Sequence, residues 1–165
     1  LHFFNCEESA VTEWPDLSGR LEEGGHVLPV RVYYEDTDFT GIVYHGAYVR
    51  FFERARSDFL RLMGIHHKEL AEGAHGSALA FAVRGMTLDF QKPARIDDIL
   101  QVHTSLSEYR GARIKLDQLA YRDEELLVSA AVTVAVITNE GRPTRLPVKL
   151  SEKLARHAPD DLLDG

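Results

Sequence analysis

From Tyr48 to Met63 the apolar side chains recur at Tyr48, Phe51, Phe52, Ala55, Phe59, Leu62 and Met63. Steps of three and four stack such residues on one face of a helix, and Arg50, Glu53, Arg54, Arg56, Asp58 and Arg61 fill most of the remainder. Gly64 offers a C-terminal stop. The aromatic rings on the stripe are too bulky and too apolar to leave in water, so the spacing predicts a sheet wrapped over this helix.

The flanking segments change to β character. His26–Thr37 carries Val27, Leu28, Val30, Val32, Tyr33 and Tyr34, and predicts the first strand. After a loop at Glu72–Gly76, strands are expected over Ser77–Gln91, Asp98–Glu108, Ala112–Arg122 and Glu125–Asn139. In the last of these Leu126, Val128, Ala130, Val132, Val134 and Val136 alternate with Ser129 and Thr133, as on a strand with one face on the core. Turn signals at Lys92-Pro93-Ala94, Tyr109-Arg110-Gly111, Arg122-Asp123 and Asn139–Pro143 favour antiparallel hairpins. A short helix is expected over Lys149–His157. The fold class is therefore α+β, one long helix on an antiparallel sheet of about five strands. Residues 1–26 lack a sustained period and form an N-terminal extension, with Phe3, Phe4 and Trp14 able to dock on the domain at 27–147. Residues 148–165 form a tail. An antiparallel sheet with one long helix keeps open edges, so pairing with further copies of the chain is expected.

Composition narrows the partners. The chain has 165 residues, 44% hydrophobic and 27% charged, which suits one globular domain around one core. A formal net charge of −7 argues against general nucleic-acid binding. The single cysteine, Cys6, excludes an intrachain disulfide and a zinc site of several thiolates. No apolar run approaches the roughly 20 residues that span a bilayer, and residues 1–13 lack the form of a secretory signal, so no membrane insertion and a cytoplasmic location are expected. The eight histidines include no clear metal-ligand spacing, and no cofactor is expected.

The chemistry concentrates between the first strand and the helix, in Tyr33–Tyr48, where carboxylates, His45, Gly41, Gly46 and four tyrosines meet. A strand-to-helix junction sets such groups beside the unpaired N–H groups of a helix start, which bind a developing oxyanion with the help of the helix dipole. Thioester hydrolysis needs a group that activates water or attacks the carbonyl, donors for the oxyanion, and a dry acyl slot. Asp38 is the candidate base or nucleophile, the N–H groups around Tyr44 and His45 the candidate oxyanion site, and Tyr48, Phe51 and Phe52 the candidate slot. Taken alone, Asp38 fits a helix-side cap or turn former better than a catalytic group, and the surrounding motif reverses that preference; His45 alone fits a loop residue and Tyr34 a strand residue. Asp36 is read as structural, fixing the loop through backbone bonds. Glu53 fits a solvated or ion-paired helix face. Arg84, Lys92, Arg95, Arg110 and Arg113 are of the type that could meet phosphates.

The run Tyr34-Glu35-Asp36-Thr37-Asp38, with Gly41-Ile42-Val43-Tyr44-His45 and Tyr48, resembles the signature of the YbgC-like branch of the 4-hydroxybenzoyl-CoA thioesterase family. The resemblance continues through Phe52–Arg56, Phe81–Arg84 and Pro93–Asp98, and covers roughly Val30 to Leu146. It implies a hotdog fold, a five-stranded antiparallel sheet wrapped around a long helix, with dimers joined edge to edge and often paired into tetramers. It also implies hydrolysis of acyl-CoA thioesters, with Asp38 as the catalytic carboxylate and Tyr34 and His45 at active-site positions. Acyl carrier protein is a partner implied for some members, as is a Tol-Pal envelope system. Phe39-Thr40 departs from the pattern, and is expected to touch none of the catalytic positions. Two other readings stand beside hydrolysis: hydration or dehydration of an acyl thioester, and a non-catalytic binding partner of acyl carrier protein or an envelope complex.

Overall fold

The structure, a computed structural model, describes Trp14 and residues 16–158. Its elements are β1 (Arg20–Glu22), β2 (Gly25–Arg31), α1 (His45–Leu62), α2 (His67–Ala71), β3 (Leu79–Phe90), β4 (Ile99–Arg110), β5 (Arg113–Arg122), β6 (Glu125–Thr138) and α3 (Val148–Ala155). One antiparallel sheet of six strands, in the order β1-β2-β4-β5-β6-β3, packs against α1.

The helix forms where the 3.6 period predicts it. Tyr48, Phe51, Phe52, Ala55 and Phe59 on its inner face are buried, and they join Val32, just past β2, and Leu100, Val102, Ala120 and Leu127 from the sheet in one core. Burying a side chain of this size removes enough apolar surface from water to be worth about 1.5–3 kcal/mol. Leu62, expected on the stripe, is exposed, while Arg56, on the expected polar side, is buried. Its Nη1 donates to Gln118 Oε1 at 2.9 Å, and Gln118 Nε2 donates to Thr104 Oγ1 at 2.9 Å and to the Phe52 carbonyl at 3.0 Å. The helix is thus tied to β4 and β5 through polar groups inside the core. Burial pushes the Arg56 guanidinium below its ordinary pKa.

Four expectations change. The sheet has six strands where about five were expected, because Arg20–Glu22 turns back on Gly25–Arg31. The first strand ends at Arg31 rather than Thr37; Val32 N still donates to Asp98 O at 2.8 Å, and Tyr34–Asp36 forms a single 3-10 turn. The segment after β3 is not a hairpin, since β3 pairs with β6 and β4 with β2 and β5. A register shift in the β5–β6 ladder comes at Leu127, so Leu127 and Val128 are buried in succession and the inward alternation runs from Val128 and not from Leu126. Leu150 and Leu154 of α3 enter the core, and Lys153 Nζ donates to the Gly64 carbonyl at 2.9 Å just past the end of α1. Trp14 is exposed, and Phe3 and Phe4 lie outside the described residues. No helix among the described residues is long and apolar enough to cross a membrane.

Candidate active site

The chain leaves the sheet at Val32 and must turn sharply to enter α1. Asp36, buried in that turn, accepts the Tyr33 N–H at Oδ2 (2.9 Å) and faces Arg50 across 3.5 Å at Oδ1, while its carbonyl accepts the Tyr44 N–H at 2.9 Å. It fixes the loop, as its sequence position suggested. Thr37 and Val43 then pair as an isolated antiparallel bridge around a tight turn. Asp38 N donates to Ile42 O at 2.8 Å, and Gly41 N to Asp38 O at 3.0 Å. Gly41 has φ +81°, the left-handed conformation that closes a short hairpin without the clash of a Cβ.

Asp38 stands at the entrance of this turn, partly exposed. Its Oδ1 accepts the Thr40 hydroxyl at 2.6 Å and the Thr40 N–H at 2.8 Å. The hydroxyl bond is the main reason why the Asp38 carboxyl lies below its ordinary pKa, with the Thr40 and Ile42 amides and the His45 ring adding to it against some desolvation. Asp38 is therefore ionised at neutral pH. Thr40, expected to touch none of the candidate catalytic positions, is bonded to the central candidate, Asp38. The signal was available in principle: Asp-x-Thr is a spacing at which side chain and backbone hydrogen-bond locally.

An open cleft of about 300 Å³ adjoins Asp38, lined by Ile42, Val43, His45, Tyr48 and, from the end of β3, Phe90 to Pro93. Tyr44 N is taken by Asp36, so it is not free for an oxyanion. His45 and Gly46 are the first two helical residues; their N–H groups have no carbonyl one turn back, and no bond outside the helix among the described residues. A Cβ on Gly46 would meet Tyr44 Cε1 at 2.6 Å, so glycine lets the Tyr44 ring fold against the helix start. That ring lies 4.3 Å from the His45 ring, and Phe90 sits 6.4 Å from His45 and 5.8 Å from Tyr48.

Not all candidates come together. Asp38 and His45 share the cleft, but Tyr34, 83% exposed on the 3-10 turn, does not line it. Phe51 and Phe52 are core residues away from the cleft, whereas Tyr48 does line it. The Tyr48 ring is 2% exposed, its hydroxyl has no hydrogen-bond partner among the described residues, and burial raises its pKa. Glu53 accepts the Ser57 hydroxyl at 3.0 Å and borders a separate apolar cavity of about 120 Å³ with Phe59, Met63 and Phe81. Lys92 borders the Asp38 cleft and pairs with Glu125 at 3.3 Å, while Arg84, Arg110 and Arg113 line a different trough. Residues 90–93 escaped a reading of the junction because they arrive from another strand's end. Ala94 O, just beyond them, accepts the Val43 N–H at 2.8 Å and clamps the two segments together.

Comparison with known proteins gives this geometry a family. The thioesterase-like superfamily matches over residues 32–156. The acyl-CoA thioesterase YbgC of Haemophilus influenzae is 43% identical over 115 residues, 70% of this chain and 82% of that protein. The acyl-CoA thioester hydrolase YbgC of Escherichia coli O6:H1 is 40% identical over 121 residues, 72% and 87% of the two chains. The crystal structure of a probable thioesterase from Bartonella henselae, 46% identical, superposes with a TM-score of 0.73 over 74% of this chain and 99% of that one. The matched span runs from the loop that carries Asp38 through α3, and on these grounds the chain belongs to the thioesterase-like superfamily, among its YbgC relatives.

Proposed function

We propose that this protein hydrolyses acyl-CoA thioesters to the free acid and CoA, with Asp38 as the reacting carboxylate. The observation that carries the reading is the juxtaposition of an ionised Asp38 with the start of α1 in one cleft. An acyl group lies against Ile42, Val43, Tyr48 and Phe90, and its carbonyl oxygen meets the N–H groups of His45 and Gly46, where the helix dipole favours developing negative charge. Two routes use the same atoms. In one, a carboxylate oxygen adds to the carbonyl carbon, the CoA thiolate leaves with the C–S pair, and water hydrolyses the mixed anhydride to restore Asp38. In the other, Asp38 takes a proton from water as its oxygen adds to the carbon, and the departing thiolate takes the proton back. Both consume one water and release acid and thiol. His45 faces the same cleft and completes its polar wall; Tyr34 belongs to the site only if a second copy or the substrate brings it there.

The same reading makes the protein a homodimer or homotetramer. β3 is an edge strand of 12 residues with Val83 and Phe90 exposed, the kind of edge that pairs with another chain. Phe90 also lines the cleft, so an edge pairing along β3 would cover the site.

The test is CoA release from short-, medium- and long-chain and aromatic acyl-CoAs by wild type and a folded Asp38→Asn variant. Turnover by wild type that is lost in the variant supports the reading and names the acyl class. Equal turnover by both would move the chemistry away from Asp38. Failure of wild type on every CoA ester would redirect the search to acyl carrier protein substrates or to a binding role.

A further inference from the structure

We propose that Thr40 is a positioning residue for this reaction: its hydroxyl and N–H together saturate Oδ1 of Asp38 and hold Oδ2 as the reacting oxygen. The inference rests on Asp38 being the reacting carboxylate.

An aspartate on a surface turn interchanges its two oxygens by rotation about a broad, two-fold torsion. Here both bonds go to the same oxygen from one residue, at 2.6 and 2.8 Å, which fixes the carboxylate plane relative to the backbone of the turn. Among the described residues both hydrogen bonds formed by the carboxylate end on Oδ1 and none on Oδ2, while the nearby Ile42 amide adds to the stabilisation of the charge. Oδ2 keeps its lone pairs for a carbonyl carbon or for the proton of a water. The turn itself is not held by packing. Phe39 at its tip is 106% exposed, and Gly41 has no heavy atom within 4 Å of where its Cβ would stand. Its base is anchored by the Thr37–Val43 and Ile42–Arg95 bridges, and its tip is shaped by the pair of backbone bonds across Asp38, Gly41 and Ile42 and the two Thr40 bonds to the carboxylate. Donors on the charged form also keep the group ionised as the pH falls, so one contact sets both the orientation and the charge of the reacting group.

A role in shaping the turn would predict only a change in stability, and the experiment separates the two. Thr40→Val keeps the branched shape and loses the hydroxyl; Thr40→Ser keeps the hydroxyl. The kcat and KM of wild type and both variants are measured against pH on the acyl-CoA that wild type turns over best, with thermal melts to confirm folding. In parallel, the Asp38 carboxyl carbon is titrated by NMR. Thr40→Val is expected to lose about tenfold in kcat, the scale of a misaligned reacting group, with KM hardly changed. The acid limb of its profile and its Asp38 titration should both move to higher pH, and Thr40→Ser should restore all three. A Thr40→Val enzyme whose limb and carboxyl titration coincide with wild type overturns the proposal, as does a loss that serine fails to repair. Failure of the underlying reading looks different: Asp38→Asn would keep its turnover while the Asp38 titration in Thr40→Val still moved.

Discussion

The two ends of α1 handle polar groups in opposite ways. Toward its middle and C-terminal half, Arg56, Gln118 and Thr104 are buried, and each finds its partner in the others. At its N-terminal end, Asp38, His45 and the first N–H groups of the helix face an open cleft with capacity left over. A buried donor or acceptor without a partner costs the full loss of hydration, so an interior selects closed networks. A group at a cleft can keep an oxygen free, because water fills the vacancy until a substrate replaces it. One helix therefore serves as a sealed strut at one end and borders an open cleft with unsatisfied polar groups at the other.

The largest effect should come from the open end. Asp38→Asn is expected to lower kcat/KM by about a thousandfold, the scale of removing a positioned base or nucleophile. Its melting temperature should stay near that of wild type, since Asp38 lies partly in solvent. Activity loss accompanied by a collapse in stability would break the contrast between the two ends.

Gln118→Leu tests the sealed end. It leaves the Arg56 guanidinium buried without its acceptor, and should cost about 3 kcal/mol in urea unfolding while the folded fraction keeps its kcat. Adding Arg56→Leu should recover part of that loss, because removing both partners leaves nothing unsatisfied. A double variant no more stable than the single one would mean that the network is not closed as described.

A smaller cost, about 1 kcal/mol, is expected for Gly41→Ala, which forces a side chain into the left-handed region where no neighbour obstructs it. Because this turn presents Asp38, kcat should fall with it. Unchanged kcat at reduced stability would show that the turn tolerates distortion without moving the carboxylate.

The subtlest prediction concerns His26, buried beside the sealed end. Its Nε2–H donates to the Ser18 carbonyl at 2.6 Å, its ring stacks 5.6 Å from Phe59, and Nδ1 is buried with no partner among the described residues. Burial holds its pKa below the ordinary value of 6.5. The unfolded chain therefore binds this proton first, and stability falls as pH drops below about 6.5. His26→Phe should flatten that part of the stability profile in urea unfolding between pH 5 and 7. An equal slope in both proteins would assign the dependence to other groups.

Much of the fold was legible in the chain. The aromatic stripe of α1 and the long strands β4 to β6 are visible because burial imposes periods of 3.6 and 2 on side chains, while β3, largely exposed, shows only through its β-forming residues and its bounding turns. β1 was not, since Arg20, Leu21 and Glu22 are all exposed and pair only through the backbone, whose bonds do not depend on residue type. The Lys92-Pro93-Ala94 turn misled in a related way. A proline turn ends a strand identically whether the next strand lies beside it or across the sheet, and here it passes beneath the start of α1. In the candidate site, Asp38 and His45 could be picked out because they share one short segment. Phe90 to Pro93 could not, since they reach the cleft from a strand some 50 residues away in the chain.

By itself, then, the sequence determined the helix, the principal strands, the carboxylate at the junction and the resemblance to a thioesterase family, all of which are written in local spacing. Only the tertiary structure decided the strand order, the burial of Arg56 against Gln118, the second wall of the cleft, and which of the junction's groups remain free. Those depend on which backbone and side-chain atoms meet across the fold. Hydrogen bonding is a matter of distances of about 3 Å, which residue order constrains only within a turn. Thr40 lies at that boundary: its place two residues after Asp38 was in plain view, and its hydroxyl on Oδ1 became visible only once the turn had closed.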